Sequence, residues 1–123
     1  MARVVHVSAR AYGRQPGSAN KYHAKRTTVD GQAFDSHREA QRYQLLKVQQ
    51  TLGEIRDLTV HPVFPLVVNN RAVGRFTLDF SYRDRRGRLH VEDVKAKPTM
   101  TEAYRLRKRV FEALYDLTVE EIL

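Results

Sequence analysis

Cysteine is absent from this sequence, and so is tryptophan. Without a thiol there is no disulfide framework and no thiolate metal site, so any bound ion must be held by carboxylate, imidazole or carbonyl groups. Long apolar runs are missing too: none approaches the roughly 20 residues that a membrane-spanning helix needs. The first residues lack the apolar stretch and small-residue cleavage site of a secretory signal. The expectation is a cytoplasmic protein with no membrane partner. Acids are scarce relative to bases, with 14 Asp and Glu against 22 Lys and Arg and a net charge of +8.

That excess attracts polyanions, and arginine, which outnumbers lysine here, suits phosphate because its planar fork donates two parallel hydrogen bonds. Nucleic acid, DNA in the reading that follows, is the expected partner. An inert basic surface would have the same composition. With 123 residues, the chain is long enough for one core and too short for two independent ones.

The charge is unevenly spread. Residues 1–26 hold no acid and six Lys or Arg, with Gly13, Pro16, Gly17 and Ser18 in the middle. This segment reads as an extended basic arm with a short strand at Val4 to Val7, its Tyr12 and Tyr22 available to stack on bases. Lys21, Lys25 and Arg26 are its candidate backbone contacts. Residues 27–123 form the domain proper.

Within the domain, the central Asp30-Gly31 predicts a small hairpin over Thr28 to Phe34. Ser36-His37-Arg38-Glu39 has the spacing of a capping box and opens a helix over about 37–52. Ala40, Tyr43, Leu46 and Leu52 recur at helical spacing on it, and Gly53 suits a left-handed cap. Leu58 to Val68 follows as a strand that Pro62 and Pro65 make an edge or a bent one. Beyond an Asn69-Asn70 turn, Ala72 to Tyr82 sets Phe76, Leu78, Phe80 and Tyr82 on one face and Thr77, Asp79 and Ser81 on the other. Asp84 to Gly87 is the next turn, Arg88 to Lys95 the third strand, and Pro98 closes it. Thr101 caps a second helix with Tyr104, Val110, Phe111 and Leu114 on its apolar side, while Arg105, Arg107, Lys108 and Arg109 supply positive charge. Leu117 to Leu123 is a last short strand. The fold class is mixed α/β (α+β): helix, three strands, helix, strand, with a central mixed sheet flanked by helices.

The chemistry gathers at the end of the third strand, VEDVKAK. Asp93 and Lys95 are two apart and share a face, whereas Glu92 and Val94 point the other way. If the loop is Arg85-Arg86-Gly87, the register sets Asp79 directly across from Asp93. Two carboxylates so placed repel each other unless a cation lies between them. Hard oxygen ligands suit Mg²⁺ or Mn²⁺, and an adjacent ammonium, Lys95, suits a developing phosphate charge. The alternative for Asp79 is a buried salt bridge to Lys95, and Glu39 alone is accounted for by helix capping. The five histidines show no ligand spacing on one element and read as surface or structural residues.

Taken together, a helix bearing Glu39, a meander bearing Asp79 and Asp93-Val94-Lys95, then a basic helix and a final strand resemble the PD-(D/E)XK nuclease superfamily, whose core is a restriction-endonuclease-like αβββαβ sandwich. The stretches KYHAKRTTVDGQAFDSHREAQRY, FTLDFSY, VEDVKAK and YRLRKRVF are similar to a group of small phage and prophage proteins assigned to it. The similarity covers roughly residues 21 to 122. It implies that Asp79, Asp93 and the Val94 carbonyl hold Mg²⁺ or Mn²⁺, that Lys95 assists the nucleophile, and that Glu39 completes the site. It also implies DNA contacts by Lys97, Tyr104, Arg105 and Lys108. The implied protein is a metal-dependent DNA endonuclease acting as a homodimer, with branched DNA such as a Holliday junction as a substrate class. Two departures stand out: Leu78 replaces the proline before the first acid, and the second acid is Asp93 rather than Glu. Both variations occur in the superfamily. A DNA-binding protein that keeps this scaffold without turnover is the competing expectation.

Overall fold

The computed structural model describes residues 10–11, 26–95 and 101–123. Most of the basic arm therefore lies outside the described residues: the strand expected at Val4 to Val7, Tyr12, Tyr22, Lys21 and Lys25. So does Lys97. Two residues of the arm, Arg10–Ala11, form strand β1.

Two left-handed residues, Asp30 (φ 53°) and Gly31 (φ 75°), join β2 (Thr27–Val29) to β3 (Gln32–Phe34), the backbone that a two-residue hairpin turn requires. Helix α1 (His37–Thr51) begins where the Ser36 hydroxyl accepts the Glu39 amide at 3.2 Å. It ends in paired reverse bonds, Gly53 amide to Gln50 carbonyl at 3.0 Å and Glu54 amide to Gln49 carbonyl at 2.9 Å, with Gly53 left-handed at φ 79° as this closure demands. Ala40, Tyr43 and Leu46 are buried. Leu52 is not: it is the cap residue beyond Thr51, so it leaves the helical stripe and stays exposed.

The next thirty residues make one long antiparallel ribbon. β4 (Ile55–Val60) and β5 (Pro62–Val68) form its first leg, and β6 (Arg71–Thr77) and β7 (Phe80–Asp84) its second. Val60 opposes Phe80 and Val63 opposes Thr77, and between them the His61 amide bonds the Asp79 carbonyl at 2.9 Å and the Leu78 amide the Pro62 carbonyl at 3.0 Å. The pairing thus runs through a bend at which His61 takes φ 54°. The run Leu58 to Val68 is bent, as its prolines predict; its first residues belong to β4, an edge of the four-stranded sheet, while β5, which holds both prolines, lies between β1 and β6.

β8 (Leu89–Val94) pairs antiparallel with β7, and β9 (Val119–Ile122) pairs parallel with β8 after helix α2 (Glu102–Tyr115). The order β4-β7-β8-β9 makes a mixed sheet. Counting each bent run once, the chain reads helix, three strands, helix, strand. Phe80 and Tyr82 join Phe34, Ala40, Tyr43, Leu46 and Ile55 in a core against α1. Phe76 and Leu78 join Phe64, Leu66, Val91, Phe111 and Val119 in a second core against α2. The stripe Phe76, Leu78, Phe80, Tyr82, expected on one face, is therefore divided between two cores. The reason is the bend at His61 and Asp79, which redirects the ribbon from one helix to the other. On α2, Thr101 caps through the Tyr104 amide at 3.1 Å. Leu114 is exposed there, and Tyr115 takes its packing role, 5.1 Å from Phe111 and 5.3 Å from Phe64 between ring centroids.

Candidate metal centre

The site grows from the bend. His61 and Asp79 face each other across it, and Asp79 is one step past the ladder pairs Phe80–Glu92 and Ser81–Val91. Continuing that register sets Asp79 across from Asp93, the pairing read from the Arg85-Arg86-Gly87 loop, which the Gly87 amide closes onto the Asp84 carbonyl at 2.9 Å. The Asp79 carboxylate accepts the Val94 amide at 2.7 Å. It also contacts the carboxyls of Glu39 and Asp93. All three acids are buried, at 6% (Glu39), 8% (Asp79) and 7% (Asp93) exposure.

This crowding has an electrostatic consequence. Burial first, then the neighbouring Glu39 and Asp93, push the Asp79 carboxyl well above the ordinary carboxylate range. Desolvated like charges favour the protonated form unless a cation arrives. The capping role of Glu39 does not exclude a second one. Its backbone amide serves the cap, while its side chain spans from Ser36 Oγ at 3.4 Å to His61 Nε2 at 3.8 Å.

His61 is the residue that the sequence reading misses. It is 3% exposed, and neither ring nitrogen has a hydrogen-bond partner among the described residues. One ligand atom each from Glu39, His61 and Asp79 lies within 4.8 Å of the other two. Ligands about 2.1 Å from one octahedral ion stand about 3.0 Å apart when adjacent and about 4.2 Å when opposite. These three side chains are the ones that could hold a divalent cation, once drawn to those separations.

Asp93 is held from the other side. Lys95 Nζ is 2.7 Å from its Oδ2, the Tyr104 hydroxyl donates to the same oxygen at 2.9 Å, and the ammonium rests 3.7 Å from the centre of the Tyr104 ring. The salt bridge to Lys95, the alternative reading for Asp79, is made by Asp93. Glu121, opposite Asp93 on the parallel strand β9, accepts Lys108 Nζ at 3.1 Å and lies 3.3 Å from the Tyr104 hydroxyl. Burial, with Asp93 next, raises the Tyr104 pKa, so its hydroxyl remains a donor at neutral pH.

Glu92, adjacent to Asp93, belongs elsewhere. It is fully buried and receives both Arg42 Nε at 2.7 Å and Arg42 Nη2 at 2.5 Å, with the Tyr82 hydroxyl at 2.5 Å. One turn earlier on the same helix face, Arg38 donates to the Lys95 carbonyl at 3.0 Å. These two arginines, four apart and so on one side of α1, clamp the helix to β8 and bring Glu39 to Asp79.

The remaining candidates are distributed as follows. Val94 meets the site through its amide. Tyr104 contacts Asp93 and Glu121, Lys108 contacts Glu121, and Arg105 and Arg26 are exposed. Among the described residues the histidines divide by role: His90 bridges Asp84 at 2.8 Å and Glu120 at 2.7 Å away from this centre, and His61 alone is buried within it.

The chain matches, over residues 19–121, the family described as "Protein of unknown function (DUF1064)". No curated protein and no solved structure matches it.

Proposed function

We propose that this chain, which belongs to the DUF1064 family, is a divalent-metal-dependent DNA endonuclease of the PD-(D/E)XK type. The observation that carries the reading is the convergence of Glu39, Asp79 and Asp93, from three separate segments, on one buried spot beside Lys95. Burying several acids together is costly without a compensating cation, and the chain around them is strongly basic. A polyanion is thereby drawn to a place where a bound cation would settle the local charge.

Glu39 and Asp79 would hold Mg²⁺ or Mn²⁺, with Asp93 and the Val94 carbonyl within the same loop end. When bound, such an ion supplies positive charge to the scissile phosphate and makes water a better acid. The rest falls to the chain. Asp79 is aimed by the Val94 amide, and Asp93 by the Tyr104 hydroxyl. Lys95, held on the Tyr104 ring, presents an ammonium where negative charge accumulates during phosphoryl transfer. Arg105 and Arg26 are free to meet the DNA backbone, which positions a duplex without reading its sequence. A homodimer would offer one centre to each strand, and a branched DNA is the substrate class that the family resemblance favours.

One observation favours a second reading. Lys95 and Tyr104 already satisfy the Asp93 carboxylate, as they would in a DNA-binding protein that keeps the scaffold without turnover. Incubation with linear, single-stranded, flapped and four-way DNA, in Mg²⁺, in Mn²⁺ and in chelator, separates the two. Cleavage of any of these that chelator abolishes supports the nuclease. Binding with no cleavage under every condition supports the second reading.

A further inference from the structure

We infer that His61 is itself a ligand of the ion, which makes this centre one for a first-row transition-metal ion such as Mn²⁺ in preference to Mg²⁺; the inference rests on the metal-site reading above.

Three observations meet at His61. The first is its unmet hydrogen-bonding capacity. The ring is buried, and Nδ1 and Nε2 have no hydrogen-bond partner among the described residues, although an imidazole sequestered from water is normally bonded through at least one nitrogen. Glu39 Oε1 is 3.8 Å from Nε2, beyond hydrogen-bond reach and close to the separation of two ligands of one ion.

The second is its backbone. His61 holds φ 54°, a left-handed conformation that only a few per cent of non-glycine residues adopt. It is fixed there by its amide bond to the Asp79 carbonyl at 2.9 Å. Residues kept in sparsely populated backbone regions cluster where function sets the geometry. Here the conformation places the imidazole against the acid it faces across the ribbon.

The third is the company. A histidine that merely filled space would need only apolar neighbours, and Phe34 provides one, 6.1 Å away between ring centroids. Packing does not account for a ligand atom within 4.8 Å of those of both Glu39 and Asp79. Mg²⁺ is a hard ion that prefers oxygen throughout, whereas imidazole nitrogen raises affinity for the first-row transition metals. Replacing one oxygen by nitrogen in a carboxylate site therefore shifts selectivity toward the latter.

Electron paramagnetic resonance of Mn²⁺ on the full, untagged chain tests this without any turnover. Pulsed spectra of the wild-type complex are expected to show modulation from a directly bound nitrogen. His61→Asn, which suits the left-handed backbone and retains a polar group, should keep the wild-type circular dichroism and lose that modulation. Its preference for Mn²⁺ over Mg²⁺, measured by competition, should fall at least about tenfold. Asp79→Asn should lose the bound ion. Bound Mn²⁺ without nitrogen modulation in the wild-type protein overturns the role of His61 and leaves the carboxylate site standing; so does unchanged modulation in His61→Asn. A folded wild-type chain that binds no Mn²⁺ overturns both. Because the wild-type spectrum decides alone, an unfolded variant leaves the test intact.

Discussion

Asp79 and Asp93 lie side by side at the end of the β7–β8 hairpin, two buried carboxyls in mutual contact, with the Val94 amide on the first and Lys95 on the second. Those partners offset only part of the cost of burying two like charges together. A leucine and a valine there would extend the neighbouring cores, so the acids are kept at a cost that a bound cation would remove.

Replacing Asp79 by Asn should accordingly stabilise the metal-free protein. The folded value of its carboxyl lies above the unfolded one, first because of burial and then because of Glu39 and Asp93. The folded state therefore holds a proton that the unfolded state releases, and stability falls as pH rises from about 4 upward through the folded value. Relief of a buried functional charge commonly gains about 0.5–2 kcal/mol, which is a rise of a few degrees in Tm. Thermal melts in chelator at neutral pH check this, and a variant that melts lower than wild type would contradict it. Adding Mn²⁺ should raise the wild-type Tm and leave that of Asp79→Asn unmoved.

Arg42→Ala should be strongly destabilising, because it strands the fully buried Glu92 carboxylate with only the Tyr82 hydroxyl. Breaking a buried pair from one side costs about 3–5 kcal/mol. Glu92→Gln added to Arg42→Ala should recover part of the loss, since the charge is then gone. Urea unfolding measures both, and a loss below about 1 kcal/mol for Arg42→Ala would show that the pair does not anchor α1.

Much of this frame is legible in the sequence because local chemistry encodes it. Ser36 and Gly53 bound α1 as a cap and a left-handed stop should, and the Gly87 turn carries enough information to align Asp79 with Asp93. His61 is hidden for a definite reason. Counting back from the Asn69-Asn70 turn pairs Val68 with Arg71 and would set His61 opposite Leu78. A bulge between Leu66 and Val67 shifts the ladder by one and brings Asp79 there instead; Gly74 inside the strand is its one signal, and it does not fix the new register. Glu121 is hidden too, because parallel pairing across a helix leaves no turn from which to count. The division of Phe76–Tyr82 between two cores follows from the same bend and is equally silent.

His90 carries the pH dependence on the alkaline side. The Asp84 carboxylate first, and Glu120 with it, raise its pKa. A raised histidine contributes stability that is complete below its unfolded value of about 6.5 and is lost as pH rises through the folded value. Unfolding free energies from pH 6 to 9 should decline in wild type and decline less in His90→Gln. Equal slopes would mean that the bridge across β7, β8 and β9 is energetically silent.

Lys95→Met should separate chemistry from metal binding. Cleavage should fall by about 10²–10³-fold, the usual cost of removing one group that stabilises developing charge, while Mn²⁺ affinity stays close to wild type. Single-turnover rates and a metal titration on the same preparation report the two quantities. Loss of affinity in step with rate would make Lys95 a scaffold for Asp93 instead.

Nicking of supercoiled plasmid by wild-type and Asp79→Asn protein decides whether the Glu39, Asp79 and Asp93 cluster hydrolyses phosphodiester bonds with a divalent ion, as proposed. Wild type is expected to nick in Mn²⁺ and to stop in chelator, and the folded variant to be slower by about 10³-fold or more, on the scale of removing an essential charge-stabilising group. Nicking by Asp79→Asn at the wild-type rate, or none by wild type on any of the linear, flapped and four-way DNAs as well, would contradict it.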